Sequence, residues 1–331
     1  MRWGFIGASN IAERVIPSLR KIAGQELVAV CSRNAARAAQ FAAQQGLASA
    51  HTDLAEMLAL GLDAVYISST NEQHAGQTLA ALDAGCHVLC EKPLAMSLSD
   101  AAQMIDRAQA VDRVLATNHH LRASALHGLV RQRVADGAIG RVHGVQVSHA
   151  VFLPPHLQGW RIDAPGAGGG VVLDILVHDA DLLRFLLQTE PQRITTVTRQ
   201  HGLGHGTVED SAMSLIEFDG PGGGILAQTH ESFVAQHAAT RLHVLGTEGA
   251  LYAEGSLTQA GGGRLWLRDA SGEREIAVPT VDLYEIGCGA FVRACAGDGA
   301  PLATGVDGER SMAIALAGLA SASSGRSVQI D

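Results

Sequence analysis

Two polar residues stand four positions apart in an otherwise largely apolar stretch of the sequence. Asp174 and His178 lie in segment 173–187, which is rich in leucine, isoleucine, valine and phenylalanine. If this segment is a buried helix, the spacing places both side chains on one face, and Asp181 can join them. A buried carboxylate beside a buried imidazole is costly unless the two are paired, and such pairs serve in acid–base catalysis. A histidine satisfied within the core is the alternative, but Asp174 and the glycines at 168–170 favour catalysis.

Lys92 is a second candidate for catalysis. It follows the strand-like run 87–91 and precedes Pro93, at the strand end where ligands bind in open parallel sheets. An ammonium group there can hydrogen-bond a carbonyl oxygen and protonate the alkoxide that hydride transfer creates. A surface lysine that ends a strand is the alternative. The sequence leaves open whether Lys92 or His178 gives the proton.

The elements that must position these residues change character along the chain. Strand-like and helix-like segments alternate up to about residue 120, which predicts βαβ units and a parallel sheet. Later strand-like segments at 193–200, 211–218, 223–233 and 240–255 follow each other without helices, which predicts an antiparallel sheet. The predicted fold class is α/β: an N-terminal Rossmann dinucleotide-binding domain over 1–120 and a C-terminal α+β domain with a mostly antiparallel open sheet over 121–331. The C-terminal helices can pack back on the first domain.

The turn after the first strand has the sequence G-A-S-N-I-A at 7–12. Gly7 keeps the first glycine of the G-x-G-x-x-G fingerprint, while Ser9 and Ala12 take the other two places. Backbone N–H groups at such a helix start can hold a pyrophosphate. An ordinary βα turn is the alternative, and the βαβαβ pattern that follows argues against it.

The end of the second strand indicates which dinucleotide binds. NAD-binding proteins place an acid there for the ribose hydroxyl, but this chain has Ser32 and Arg33, with Arg37 a helical turn further on. A hydroxyl and two guanidiniums suit a 2′-phosphate, so we predict NADP(H) in preference to NAD. Two solvated arginines are the alternative. Polar residues 69–74, after the third strand, can line the cofactor crevice, cap a helix, or do both.

Composition limits the other possibilities. A formal net charge of -9 argues against a nucleic-acid partner. Five cysteines without a C-x-x-C pair predict no disulfide framework, and no run reaches the ~18 apolar residues of a membrane span. The N-terminus lacks the pattern of a secretory signal, so we expect a soluble cytoplasmic protein. His119 with His120, and His201 with His205, lack helical ligand spacing, and we assign no metal.

Three motifs together resemble the Gfo/Idh/MocA family of NAD(P)-dependent oxidoreductases, and the resemblance extends over essentially the whole chain. They are G-x-S-x-x-A at 7–12, E-K-P-L-A at 91–95 and D-x-x-x-H at 174–178. The stretch L-P-P-H-L-Q-G-W-R at 153–161 is similar to one reductase subgroup of that family. This resemblance implies reduction of a sugar-derived ketone with NADPH, in that subgroup 1,5-anhydro-D-fructose to 1,5-anhydro-D-mannitol. A sugar or inositol dehydrogenase is the alternative enzyme, and a non-catalytic NADP-binding sensor is the alternative from another class.

The resemblance also implies roles for individual residues. Lys92 and His178 form the catalytic pair, Asp174 assists substrate binding, and Pro93 follows a cis peptide bond. Cofactor contacts are expected from Gly7, Ser9, Asn10, Ile11, Ala12, Ser32, Arg33, Arg37, Ser69, Thr70, Asn71, Glu72, Gln73, His74, Glu91, Lys92, Asn118, Trp160, Arg161 and Tyr284. Substrate contacts are expected from Lys92, Asn118, His119, Trp160, Arg161, Asp174 and His178. The expected partner is a small sugar, with no membrane or nucleic acid, and the chain is a monomer or a homo-oligomer formed through the C-terminal sheet.

Overall fold

The computed structural model describes residues 1–203 and 208–330 of the chain. These residues form two compact units. The first consists of Met1–His120 with Tyr284–Glu309, and the second of Leu121–Leu283 with the residues from Arg310 onward.

The first unit contains a six-stranded sheet in which every neighbouring pair is parallel. Its strands are β1 (Arg2–Ile6), β2 (Glu26–Cys31), β3 (Ser49–His51), β4 (Ala64–Ile67), β5 (His87–Cys90) and β6 (Leu115–Thr117), in the order β3-β2-β1-β4-β5-β6. The central strands are buried along almost their whole length, as expected when helices cover both faces of a parallel sheet. The order reverses beside β1, and ligands of open α/β sheets bind at such a reversal.

The helices of this unit follow the strands in sequence. They are α1 (Asn10–Lys21), α2 (Ala35–Gln45), α3 (Leu54–Leu58), α4 (His74–Asp83) and α5 (Leu98–Ala110). The sequence pattern did not indicate β3 and α3, because three and five residues are too few to establish a period. Further along the chain, α9 (Leu283–Cys295) belongs mainly to this unit, where Phe291 packs 5.5 Å from the ring of Trp3.

The second unit is built on a nine-stranded sheet. The strands are β7 (Val142–Ala150), β8 (Pro191–Arg199), β9 (Ser211–Phe218), β10 (Ile225–Ser232), β11 (Arg241–Gly246), β12 (Gly249–Glu254), β13 (Arg264–Asp269), β14 (Gly272–Ile276) and β15 (Val328–Gln329), in the order β14-β13-β12-β11-β7-β10-β9-β8-β15. The pair β7–β10 is parallel and the other neighbouring pairs are antiparallel, so the predicted fold class is confirmed.

Burial alternates along the strands of this sheet. On β9, for example, Ala212, Ser214 and Ile216 are buried while Met213 and Leu215 are exposed. One face of the sheet therefore belongs to the core of the unit. The helices of this unit are α6 (Ala125–Ala135), α7 (Trp160–Asp163), α8 (Val177–Leu187) and most of α10 (Gly305–Ser324).

Two regions of the second unit differ from the sequence prediction. The segment 240–255 is a hairpin of β11 and β12, and β13 with β14 forms a further hairpin that the pattern did not indicate. β14 is the edge strand, and ion pairs join it to β13: Arg264 to Glu275 at 2.9 Å and Arg268 to Glu273 at 2.6 Å. A charged, exposed strand such as β14 lacks the apolar alternation by which strands are recognised in a sequence.

Candidate cofactor and substrate sites

The turn at 7–12 brings the start of α1 against the end of β4. Gly7 has φ of +106°, and a Cβ there would lie 2.8 Å from backbone atoms of Ser68 and Ser69. Ser9 caps α1 by accepting a hydrogen bond from the Ala12 N–H at 3.1 Å, and its hydroxyl donates to Ser68 Oγ at 2.7 Å. Asn10 is exposed, and Ile11 is half-buried. The N–H groups at the start of a helix that begins in such a turn can bind an anionic group.

The end of β2 lies beside this turn, since β1 and β2 are neighbours. Asn34 caps α2 by accepting a hydrogen bond from the Arg37 N–H at 3.0 Å. Ser32 is half-buried, while Arg33 and Arg37 are exposed. The two guanidinium groups are therefore exposed at the carboxyl end of the sheet, where a ligand can contact them.

The segment after β4 contains the six polar residues 69–74, which are not equally accessible. Ser69 donates to Gln77 Oε1 at 2.6 Å, Thr70 donates to Glu72 Oε1 at 2.6 Å, and Gln73 is half-buried. Asn71 and His74 are buried. These two buried side chains therefore support the segment from within, and the other four residues are the ones accessible to a ligand.

His74 holds the turn that carries Lys92. Its Nδ1 lies 2.8 Å from the Pro93 carbonyl oxygen, and its Nε2 lies 3.3 Å from the Ser69 carbonyl oxygen. Burial lowers the pKa of His74, so the ring is neutral and donates through one nitrogen. We assign that proton to Nδ1, which has the shorter contact.

Glu91 and Lys92 lie directly after β5. The Lys92–Pro93 peptide bond is cis, as the family resemblance implied, and Lys92 is half-buried. The Glu91 carboxylate accepts hydrogen bonds from the Tyr66 hydroxyl and from Asn118 Nδ2, the latter at 2.6 Å. Burial raises the pKa of Glu91, while these two donors and Lys92 oppose that rise. The network connects the strand ends of β4, β5 and β6.

Three further predicted contact residues lie in this unit. His119 is 3% exposed and His120 is half-buried. The His120 ring lies 5.8 Å from the ring of Tyr284. Tyr284 is the second residue of α9 and is 5% exposed. Asn118 donates its backbone N–H to the Cys90 carbonyl at 2.7 Å. The first unit thus gathers its predicted cofactor residues along the carboxyl ends of its strands.

The second unit holds the other predicted residues around the start of α8. Val172–Leu176 forms a π-helical turn that leads directly into α8, and such turns are frequent at functional sites. Asp174 and His178 are 8% and 7% exposed. Asp174 Oδ2 accepts a hydrogen bond from Arg161 Nε at 3.2 Å. The Arg161 guanidinium stacks 4.5 Å from the centre of the half-buried Trp160 ring, which gives a flat surface with hydrogen-bond donors beside it.

The expectation that Asp181 joins Asp174 and His178 needs correction. Its carboxylate accepts two hydrogen bonds from Arg122, from Nε at 2.9 Å and from Nη2 at 2.7 Å. Asp181 is 1% exposed, and this bidentate pair offsets the cost of burying its charge. The ion pair with Arg122 accounts for the presence of this buried aspartate on the helix.

Sequence reasoning missed three buried residues next to His178. Asp179 Oδ1 accepts a hydrogen bond from His149 Nδ1 at 2.8 Å, and the His149 ring lies 6.5 Å from the His178 ring. Glu231 is the cross-strand neighbour of His149. For Glu231 the sequence did contain a signal, because this charged residue occupies a position of β10 at which the alternation predicts a buried side chain.

Of the two histidines at 201 and 205, to which we assigned no metal from the sequence, His205 lies outside the described residues. Within residues 1–203 and 208–330, no group of three or more metal-ligating side chains is arranged to hold a metal ion. Within the same residues, no helix is long and apolar enough to cross a membrane.

Comparison with known families and proteins identifies relatives of both units. Residues 1–119 match the Gfo/Idh/MocA model described as "Oxidoreductase family, NAD-binding Rossmann fold", and residues 127–252 match the Gfo/Idh/MocA C-terminal domain. The chain is 45% identical to a 1,5-anhydro-D-fructose reductase of Ensifer adhaerens over 331 residues, covering 100% of this chain and 98% of that protein. It is 33% identical to a D-glucoside 3-dehydrogenase of Escherichia coli over 244 residues, or 68% of each chain.

Solved structures with the same fold are more distant in sequence. The aldose-aldose oxidoreductase from Caulobacter crescentus, complexed with glycerol, superposes with a TM-score of 0.90 at 22% identity and covers 99% of both chains. An oxidoreductase from Agrobacterium radiobacter in complex with NAD+, L-tartaric acid and magnesium gives a TM-score of 0.86 at 22% identity, covering 100% of this chain and 98% of that one. These similarities establish the fold.

The close approach at Gly7 leads to a first prediction. Gly7→Ala places a Cβ against the backbone of Ser68 and Ser69 at a positive φ. We expect a loss of about 1–3 kcal/mol in the free energy of unfolding and at least tenfold weaker NADPH binding. Thermal unfolding and fluorescence titration measure the two effects. The matched control is Gly76→Ala on α4, which has nothing within 4 Å of the added Cβ and should bind NADPH normally. Unchanged binding by Gly7→Ala would contradict the assignment of this turn to the cofactor.

Proposed function

The chain belongs to the Gfo/Idh/MocA family of oxidoreductases, and from this premise we propose that it reduces a sugar-derived ketone with NADPH. The proposed reaction converts 1,5-anhydro-D-fructose to 1,5-anhydro-D-mannitol by hydride transfer to the C2 carbonyl. The observation that carries this proposal is 45% identity over the full chain to a 1,5-anhydro-D-fructose reductase. We assign cofactor binding to the unit containing residues 1–120 and substrate binding to the unit beginning at Leu121.

The first unit supplies the groups suited to hold the cofactor. The N–H groups at the start of α1 bind the pyrophosphate, and the polar residues after β4 line its path. When bound, NADPH supplies the hydride. The site fits this cofactor because the Gly7 turn lets α1 begin close against the end of β4, at the carboxyl edge of the parallel sheet where dinucleotides bind.

The chemistry at the ketone needs a proton donor near its oxygen. Lys92 as an ammonium and His178 as an imidazolium are each able to hydrogen-bond the oxygen and to protonate the alkoxide. Asp174, fixed by Arg161, accepts a hydrogen bond from a sugar hydroxyl. Trp160 offers its face to the sugar ring, and the stacked Arg161 offers donors to the hydroxyls.

Replacement of Lys92 tests this assignment. Lys92→Met removes the ammonium while keeping the length of the side chain. We expect kcat to fall by at least about 100-fold, with the Kd for NADPH within about threefold of the original. Stopped-flow NADPH oxidation and fluorescence titration measure the two quantities. Lys21→Met is the matched control, because Lys21 pairs with Glu285 on the surface at 3.0 Å and should leave turnover unchanged. Undiminished turnover by Lys92→Met with NADPH bound would overturn the role of Lys92.

The preference for NADP over NAD is part of the proposal and has its own support. Ser32 and Arg33 follow the end of β2, where an acid would select NAD, and Arg37 lies in the first turn of α2 nearby. Each arginine can form a charge-assisted hydrogen bond to a 2′-phosphate.

The double variant Arg33→Ala/Arg37→Ala tests this preference. We expect NADPH binding to weaken by about 100-fold, as the loss of two charge-assisted hydrogen bonds implies, while NADH binding stays the same. Titration with both cofactors provides the ratio. Arg107→Ala, at an exposed pair with Asp83, is the control. A double variant that loses both cofactors equally would show that the arginines hold some other part of the dinucleotide.

A sugar dehydrogenase is the second candidate, favoured by relatives such as the D-glucoside 3-dehydrogenase of Escherichia coli. An assay of NADPH oxidation against anhydro-ketoses, osones and deoxyosones, beside NAD reduction with inositol and aldoses, separates the two activities. Binding of NADPH without turnover on any sugar would instead favour a sensor.

We also propose that the protein is cytoplasmic and associates through the open face of its nine-stranded sheet. An odd number of cysteines without a C-x-x-C pair fits a reducing compartment. Four large apolar side chains on the exposed face of β8, β9 and β10 are between 45% and 55% exposed: Val197, Met213, Leu215 and Leu226. Val197 and Met213 are cross-strand neighbours, so the patch is continuous across two strands. Exposed patches of this kind mark interaction surfaces.

Charge on this patch tests the association. Leu215→Glu/Leu226→Glu should shift the sedimentation coefficient from that of a homo-oligomer to that of a monomer, since both side chains are exposed in the single chain. Gln132→Glu, at an exposed position of α6, is the control and should leave the coefficient unchanged. A wild-type chain that sediments as a monomer would rule out the association.

A further inference from the structure

The second unit contains two buried carboxyl groups that the proposed reaction does not use. Asp179, on α8, and Glu231, on β10, are each 0% exposed. Glu231 pairs in register with His149 of the neighbouring strand β7, so the two side chains emerge side by side on the inner face of the sheet. Asp179 lies over them and accepts the hydrogen bond from His149 Nδ1 at 2.8 Å. These three residues form what we term the His149 cluster.

Most of the carboxyl oxygens of the two acids are buried without a hydrogen-bond partner. Both Glu231 oxygens and Asp179 Oδ2 are fully buried and have no hydrogen-bond partner of good geometry among the described residues. Burial raises the pKa of Glu231 well above its usual range, and the adjacent Asp179 carboxylate raises it further. Glu231 is therefore the neutral acid of the cluster, and Asp179 is the acid whose Oδ1 holds the His149 ring.

The cluster adjoins a residue of the proposed catalytic pair. Asp179 follows His178 in the sequence, and the His149 ring lies 6.5 Å from the His178 ring at an angle of 39°. Three further sets of charged or titratable groups lie on α8 or near it. Arg161 pairs with Asp174, Arg122 pairs with Asp181, and burial lowers the pKa of His127 to about 4, so that it is neutral. Asp179 is thus the acid of α8 that is bonded directly to the ring beside His178.

We propose that Asp179 is a positioning residue for His178, which it supports through His149 and whose protonated form it favours by its negative charge. The neutral Glu231 completes the cluster and keeps a second negative charge away from the site. A negative charge held near an imidazole stabilises the imidazolium, which is the form that can protonate an alkoxide. The kinetic consequence rests on the proposed function, whereas the effect on His178 itself does not.

The test separates charge from packing with two isosteric variants. Asp179→Asn keeps an oxygen for the His149 hydrogen bond and removes the charge, while Glu231→Gln copies the neutral acid. Histidine NMR titration of the full-length chain without substrate follows His178, whose signal is identified by its loss in His178→Asn. We expect Asp179→Asn to move the His178 midpoint down by about one pH unit, a tenfold change in the protonated fraction, and Glu231→Gln to move it by less than about 0.3. Ser214→Ala, which loses a buried hydrogen bond to Thr196 at 2.9 Å on the same sheet, should lower stability without moving the midpoint.

Two further measurements keep the proposal testable if one of the variants fails to fold. Infrared spectra of the wild-type chain at neutral pH should show a protonated carboxyl band that Glu231→Gln lacks, and its absence would overturn the neutral state of Glu231. In the reductase assay, the pH profile of kcat should move with the NMR midpoint while the Kd for NADPH stays constant. An unmoved His178 midpoint in folded Asp179→Asn, or an equal shift in Glu231→Gln, would overturn the proposal. If the wild-type chain reduces no anhydro-ketose, the proposed function fails while the titration still decides this inference.

Discussion

A buried carboxylate at the end of β5 imposes the constraint on which the cofactor side of this protein depends. Glu91 is 9% exposed, and its charge is stabilised by the Tyr66 hydroxyl and the Asn118 amide, which come from the ends of the strands on either side. Removal of either donor would leave a buried acceptor at a cost of about 1–3 kcal/mol. Lys92 follows directly, and the His74 ring fixes the carbonyl of the next residue at 2.8 Å. The lysine therefore projects from a backbone held on two sides.

The sequence predicted those parts of the fold whose residues repeat with a clear period. The first parallel sheet and the strand at 211–218 were predicted because their strands are apolar throughout or alternate strictly. The elements β3 and α3 are too short to show a period, and β13 and β14 carry arginines and glutamates that pair across the hairpin. The π-helical turn at Val172–Leu176 has the apolar composition of any buried helix, so no sequence signal distinguishes it.

The candidate site was predictable where residue type and local position were enough. The positions of Lys92 after a strand and of His178 on an apolar helix were predicted in this way, and the family resemblance implied that the two residues act together. Contacts between residues far apart in the chain were not predictable. Asp181 has Arg122 as its partner, 59 positions away, and Asp179 meets His149 across 30 positions. The neighbourhood of Glu231 depends on the register between two parallel strands, which the strand sequences do not determine.

The β13–β14 hairpin at one edge of the nine-stranded sheet affects the tendency of this protein to aggregate. An open edge offers unpaired N–H and C=O groups to any passing strand, and natural proteins blunt it with charged side chains. Here β14 is almost entirely exposed, and its glutamates and arginine are committed to partners on or near β13. An incoming strand would have to displace those ion pairs before it could hydrogen-bond to the backbone. Growth of the sheet through this edge into fibrous aggregates is thereby discouraged.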